Sequence, residues 1–154
     1  MRRVGRTRAG TVLSEMTHSL RSNLDYQVRL VGPPQSPEVT LAQGGSCRDF
    51  ALLMMEGARC LGLAARFASG YVYGKGAASA GEKRGHTHAW VRVYLPDCGW
   101  VDFDPTNGVM PTDGHITLAW GRDYDDVGPS RGILLGGQRH WMDVSVDVVP
   151  ISQP

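Results

Sequence analysis

The strongest constraint on the fold lies between His88 and Phe103. His88-Ala89-Trp90-Val91-Arg92-Val93-Tyr94-Leu95 is rich in aromatic and β-branched residues and reads as a strand, and Pro96-Asp97-Cys98-Gly99 reads as a turn. Trp100-Val101-Asp102-Phe103 is the returning strand. Strands joined by so short a turn pair side by side and antiparallel. A lone hairpin is marginal in water, so the rest of the chain has to add strands and cover one face.

It has the elements to do so. Val12, Leu13, Met16, Leu20 and Leu24 fall mostly at three- and four-residue steps, which predicts an amphipathic helix from Thr11 to about Asp25. Tyr26 to Val31 alternates briefly until Gly32-Pro33-Pro34 stops it. Ser36-Pro37-Glu38 offers an N-cap, a proline at the first helical position and an acid in the first turn, opening a short helix that ends at Gly44-Gly45. Phe50, Leu53, Met54, Gly57 and Leu61 mark a longer helix that begins at or just after Cys47, with Gly62 past its end. Ala64 to Tyr73 reads as a strand and Gly74 to Gly85 as a polar loop of small residues. Shorter apolar runs at His115–Trp120, Ile133–Leu135 and Trp141–Val149 read as further antiparallel strands. A cysteine-bearing helix followed by a meander of strands makes the chain α+β.

Composition narrows the function classes. The 154 residues suit one domain, placed at residues 11–150, and the 42% hydrophobic content excludes wholesale disorder. Glycine is abundant, 20 residues or about 13% against about 7% in average usage, as befits many turns and few long helices. Lys+Arg 16 against Asp+Glu 15 leaves a formal charge of +1, so nothing general favours nucleic acid or an acidic membrane as partner. Residues 1–10, with Arg2, Arg3, Arg6 and Arg8, read as a flexible, solvated basic terminus. No run approaches the ~18 apolar residues of a membrane span, and the start of the chain has no apolar signal region. Three cysteines, Cys47, Cys60 and Cys98, are too few and too odd in number for a disulfide framework. The expectation is a cytoplasmic protein with a reactive thiol.

Cys47 is the residue best placed to be that thiol. At a helix N-terminus, unpaired N–H groups and the helix dipole favour the thiolate, and the preceding glycines leave the sulfur approachable. The same amides suit an oxyanion. A nucleophilic thiol needs a base, which His88 supplies, and the base needs an acceptor on its other nitrogen, which Asp104 supplies. The hairpin connectivity puts His88 and Asp104 at one end, facing the cysteine helix. Asp102 is the alternative acceptor if the strand persists. Asp49 reads as a cap or as a partner of Arg48 or Arg66. Cys60 and Cys98 have no activating neighbour in sequence. His86 shares a strand face with His88, and a His-x-His pair can ligate a metal. No third ligand is evident, so neither a metal nor another cofactor is expected.

Gly45-Ser46-Cys47, His88-Ala89-Trp90-Val91 and Gly99-Trp100-Val101-Asp102-Phe103-Asp104-Pro105-Thr106 together resemble the core of the transglutaminase-like superfamily, relatives of the papain-like thiol enzymes. The linking residues Leu61-Gly62-Leu63-Ala64-Ala65-Arg66 and Ser69-Gly70-Tyr71 match too, and the similarity runs from about Thr11 to Val149. The bacterial members, which the chain resembles most, commonly carry a β domain ahead of this unit, and none is evident in the sequence. The resemblance implies a papain-like α+β core with Cys47 as nucleophile, His88 as general base and acid and Asp104 as orienter. It implies acyl transfer or hydrolysis at an amide or peptide bond through a thioester, with a peptide or protein amide as substrate. Trp90 and Trp100 are expected either to line the cleft or to pack in the core, and Gln43 is a candidate donor beside the thiol. A protein- or peptide-binding module that keeps the fold without the reaction is the alternative.

Overall fold

A computed structural model describes residues 8–29, 32–73, 86–111, 113–128, 135–136 and 146. Three helices precede a four-stranded sheet. They are α1 (Arg8–Asn23), α2 (Pro37–Gln43) and α3 (Cys47–Cys60). The strands are β1 (Ala65–Val72), β2 (His86–Leu95), β3 (Gly99–Phe103) and β4 (His115–Gly121). Every pairing is antiparallel, in the order β3-β2-β1-β4. The fold is the expected α+β arrangement of a cysteine-bearing helix on an antiparallel sheet.

Local signals account for the helix ends. Ser36 caps α2 by accepting from the Val39 amide, with Pro37 in first position, and the helix stops where Gly44 takes φ 74°. That glycine is required twice over, because a Cβ there would also lie 2.1 Å from the Asp25 carbonyl oxygen. At the far end of α3, the Gly62 amide donates to the Arg59 carbonyl and the Leu63 amide to the Ala58 carbonyl, a Schellman close around the predicted glycine. Helix α1 starts at Arg8, ahead of the predicted Thr11.

Helix α3 packs on β2 and β1, and α1 and α2 cover it from the other side. It is therefore buried beyond the one predicted stripe: Ala51, Met55 and Ala58 are fully buried alongside Phe50 and Met54, while Leu61 is 53% exposed. Along β2, Ala89, Val91, Val93 and Leu95 join this core with Phe67 and Phe103. Burying Phe50, Met54 and Met55 contributes about 2 kcal/mol each. Thr17 is buried on α1 without penalty, since its hydroxyl donates to the Leu13 carbonyl at 2.7 Å.

Two expectations are corrected. Tyr26 to Val31 does not extend as a strand; Tyr26 makes a single parallel bridge to Gly45, and Leu30 and Val31 lie outside the described residues. The strands are not a simple meander either. After β3 the chain crosses to the opposite edge and β4 pairs with β1, from Val72↔His115 to Phe67↔Gly121, with a register shift at Ser69/Gly70. The run at Trp141–Val149 is described only at Val146 and that at Ile133–Leu135 only at Leu135, neither of them in a strand, and the Gly74–Gly85 loop lies outside the described residues.

The register shift depends on Gly70, where a Cβ would lie 1.9 Å from the Ile116 carbonyl oxygen and 2.8 Å from the Trp90 ring. Gly70→Ala is therefore expected to destabilise the protein by about 2–3 kcal/mol through overpacking, measured as a lower urea midpoint with an unchanged slope.

Candidate active site

Helix α3 delivers Cys47 to the end of the hairpin through a fixed first turn. Asp49 Oδ2 accepts from the Ser46 amide and the Ser46 hydroxyl, each at 2.7 Å, and Oδ1 accepts from the Gln35 amide at 2.7 Å. Arg29 lies 3.6 Å from the same carboxylate. Asp49 is thus a cap, as expected, but its basic neighbour is Arg29 rather than Arg48 or Arg66. The Gly45 amide and carbonyl are tied to Asp25 and Gln27, which pins the Cys47 approach to the segment carrying Tyr26.

Cys47, His88 and Ala89 line one cavity. Burial pushes the thiol pKa up, but the His88 hydrogen bond and charge, the Ala89 amide and the Arg48 charge together bring it below the ordinary cysteine value. His88 Nε2 lies 2.8 Å from Asp104 Oδ2, which leaves Nδ1 for the sulfur. Burial pulls the imidazole pKa down, yet the hydrogen bonds and charges of Asp104 and Cys47 prevail and raise it to about 9.

Asp104 is fully buried. Its Oδ1 accepts from the Thr106 and Asn107 amides at 3.0 and 3.1 Å, the geometry of the turn that follows β3. Its Oδ2 accepts from the Asn107 side-chain amide at 2.7 Å and from both His88 and His115 at 2.8 Å. Burial alone would raise its pKa; the His115 and His88 hydrogen bonds, the His88 charge and Asn107 hold it well below the usual carboxylate range.

The structure thus joins His88 to Asp104 in one hydrogen-bonded set, with Cys47 and His88 lining one cavity. Asp102 is not part of it: it pairs with Arg92 at 2.7 Å, and burial raises its pKa against the charges of Arg92 and His115. Trp90, Trp100 and Gln43 are not among the described residues that line the cavity at Cys47. Trp90, two residues on from His88 and so on the same face of β2, is fully buried with its ring stacked on His88 at 28° and 6.1 Å. Trp100 lies beneath the Arg66 guanidinium at 4.1 Å, on a separate hollow with Arg59 and Trp120. Gln43 ends α2 with its side chain exposed, and its carbonyl accepts from Gln27 at 2.6 Å. The side chain of His86 lies outside the described residues. The sequence reading did not find Asn107 and His115. Asn107 was signalled by its place in the turn after Asp104, whereas only the crossover of β4 explains His115. His88, Asp104 and His115 are the described residues whose geometry could hold a metal ion, their ligand atoms all lying within 4.8 Å of one another.

A cavity of about 580 Å³ opens over Cys47, lined among others by Tyr26, Arg29, Arg48, Tyr71, Asn107 and Leu118. Tyr26 stands edge-on to Phe50, and its pKa is raised first by burial and then by the charges of Cys47 and Asp104. Tyr26 and Cys47 thus face one cavity. Cys60 is exposed and Cys98 half-buried, neither in a disulfide.

The model for the transglutaminase-like superfamily matches residues 4–105. The chain belongs to this superfamily. It is 37% identical over 134 residues to an uncharacterized protein of Mycobacterium leprae, covering 86% of this chain and 47% of that one. It is 41% identical over 120 residues to an uncharacterized protein of Mycobacterium tuberculosis, covering 73% of this chain and 38% of that one. The chain therefore spans less than half the length of these relatives. Among solved structures it resembles a protein described as a candidate cysteine protease from Cytophaga hutchinsonii, with TM-score 0.63 and 25% identity, over 79% of this chain and 39% of that one. The family and this fold agree with a thiol-dependent chemistry. Among the described residues no helix is long and apolar enough to cross a membrane.

The depressed acidity of Asp104 has a measurable sign. A carboxylate with a lowered folded-state pKa adds stability above its unfolded value, about 3.9, and that stability is lost as pH falls through the folded value. Asp104→Asn is expected to lower the denaturation midpoint at pH 7 and to flatten the loss of stability below about pH 5, followed by urea titration at several pH values.

Proposed function

We propose that the protein breaks an amide or peptide bond by acyl transfer to Cys47, with water as the favoured acceptor. The observation that carries this reading is a helix-terminal thiol lining one cavity with His88, whose ring is held at 2.8 Å by the fully buried Asp104 carboxylate. The Cys47 thiolate attacks the carbonyl carbon, forming the C–S bond and placing charge on the oxygen. The Cys47 amide at the start of α3 and the Tyr26 hydroxyl are the donors for that oxyanion. As the C–N bond breaks, the His88 imidazolium gives its proton to the departing amine. Neutral His88 then takes a proton from water, whose oxygen attacks the thioester; the acid leaves and the thiolate–imidazolium pair returns. Asp104 holds the ring and balances its charge without taking the proton. The relative described as a candidate cysteine protease supports hydrolysis over amine transfer.

The test compares wild type with Cys47→Ala on dipeptide and glutamine-amide substrates, and follows iodoacetamide labelling of each cysteine against pH. Wild type should turn over and label rapidly at Cys47 near pH 6, Cys47→Ala should be inactive, and His88→Ala should slow Cys47 labelling at pH 6 by roughly a hundredfold. Turnover untouched by Cys47→Ala, or Cys47 labelling that rises only near pH 8.5, overturns the reading and leaves a binding module in its place. Tyr26→Phe should lower kcat by about a hundredfold while changing Cys47 labelling far less, since alkylation develops no oxyanion.

A further inference from the structure

Asp104 Oδ2 takes three N–H groups at 2.7–2.8 Å, from His88, His115 and Asn107, where a carboxylate oxygen offers two lone pairs. Of the two imidazoles, only His88 is among the described residues lining the Cys47 cavity. His115 approaches the carboxylate from the other strand edge, so Asp104 sits between two rings. Since an ionised carboxylate only accepts, each Nε2 carries a hydrogen aimed at the same oxygen.

Everything around this second ring fixes its place. The pairing Val72↔His115 starts β4 at the level of the site, and the register shift over Gly70 presses β4 onto β1. Trp90 stacks on His88 and stands edge-on to His115 at 5.3 Å and 86°, so one buried indole sets both ring planes. The two histidine side chains are 10% and 9% exposed and Asp104 not at all, which leaves little room for water to replace a lost donor. The titratable and charged groups facing the cluster are Cys47 and Arg48 from α3, Tyr26 from the segment ahead of α2, His88 from β2 and Asp102 from β3, the last paired with Arg92.

We infer that His115 is a positioning residue for the reaction, clamping the Asp104 carboxylate onto His88 so that the working relay has four members. This rests on the function proposed above. His115 touches neither sulfur nor substrate; it acts by denying Asp104 any orientation other than the one that faces His88. Without it, Asp104 keeps its turn amides and Asn107 but is free to tilt, the His88 imidazolium loses part of its partner, and the thiolate is favoured less.

The test follows Cys47 labelling by iodoacetamide against pH in the intact protein and in His115→Ala, His115→Asn and His115→Gln, with urea midpoints measured alongside. Asn is too short to reach Oδ2 and serves if the alanine variant fails to fold; the Gln amide falls close to the Nε2 position. The low-pH limb should move up by about one unit in the Ala and Asn variants, about tenfold slower labelling at pH 6, and Gln should recover most of that loss. Profiles for Ala and Asn that superimpose on wild type, with only the urea midpoint lowered, overturn the inference, as does a Gln variant no faster than Ala. A wild type that labels like an ordinary thiol overturns the underlying function instead.

Discussion

A carboxylate with no exposed surface organises this molecule. Removing Asp104 from water is costly, and the cost is met because every lone pair has a donor: two turn amides, a side-chain amide and two imidazoles. That saturation holds its pKa below the usual carboxylate range, Asp104 in turn raises the pKa of His88, and His88 lowers that of Cys47. The electrostatics of the surface residues are thus secondary to a charge that solvent does not reach.

The scaffold serves that charge by bringing distant segments to one end of the sheet. The hairpin of β2 and β3 aligns His88 with the start of the turn containing Asp104. The helix dipole and the Ser46–Asp49 cap place the sulfur opposite. Only the crossing strand β4 completes the set, and it does so at a glycine where the backbones approach closer than any side chain permits.

What the residues disclosed by themselves follows range. Helix starts, glycine stops and the tight hairpin depend on neighbours within a few positions, and they were legible. So were the places of Cys47, His88 and Asp104 at a helix start, on a strand and in a turn, because their motifs encode those elements. The meander expectation failed because consecutive strands usually pair, and nothing local in His115–Trp120 signals a crossover. His115 went unnoticed for that reason. That Trp90 packs in the core, one of its two expected places, and that Trp100 and Gln43 lie off the described lining of the Cys47 cavity was not legible, because which face of a strand or helix borders a cavity is settled by tertiary packing, not by the residue type.

The relay draws its parts from α3, β2, the turn after β3, and β4, separated by up to 68 positions between Cys47 and His115. Such long-range closure is slow and comes late in folding. An intermediate in which the helix has docked on the hairpin, but the crossing strand has not, lacks His115 and, on the inference above, would hold a sulfur about tenfold less reactive near pH 6 than the native one. The rate at which a pulse of electrophile captures Cys47 during refolding is therefore a clock for the last strand to arrive, read from a single atom.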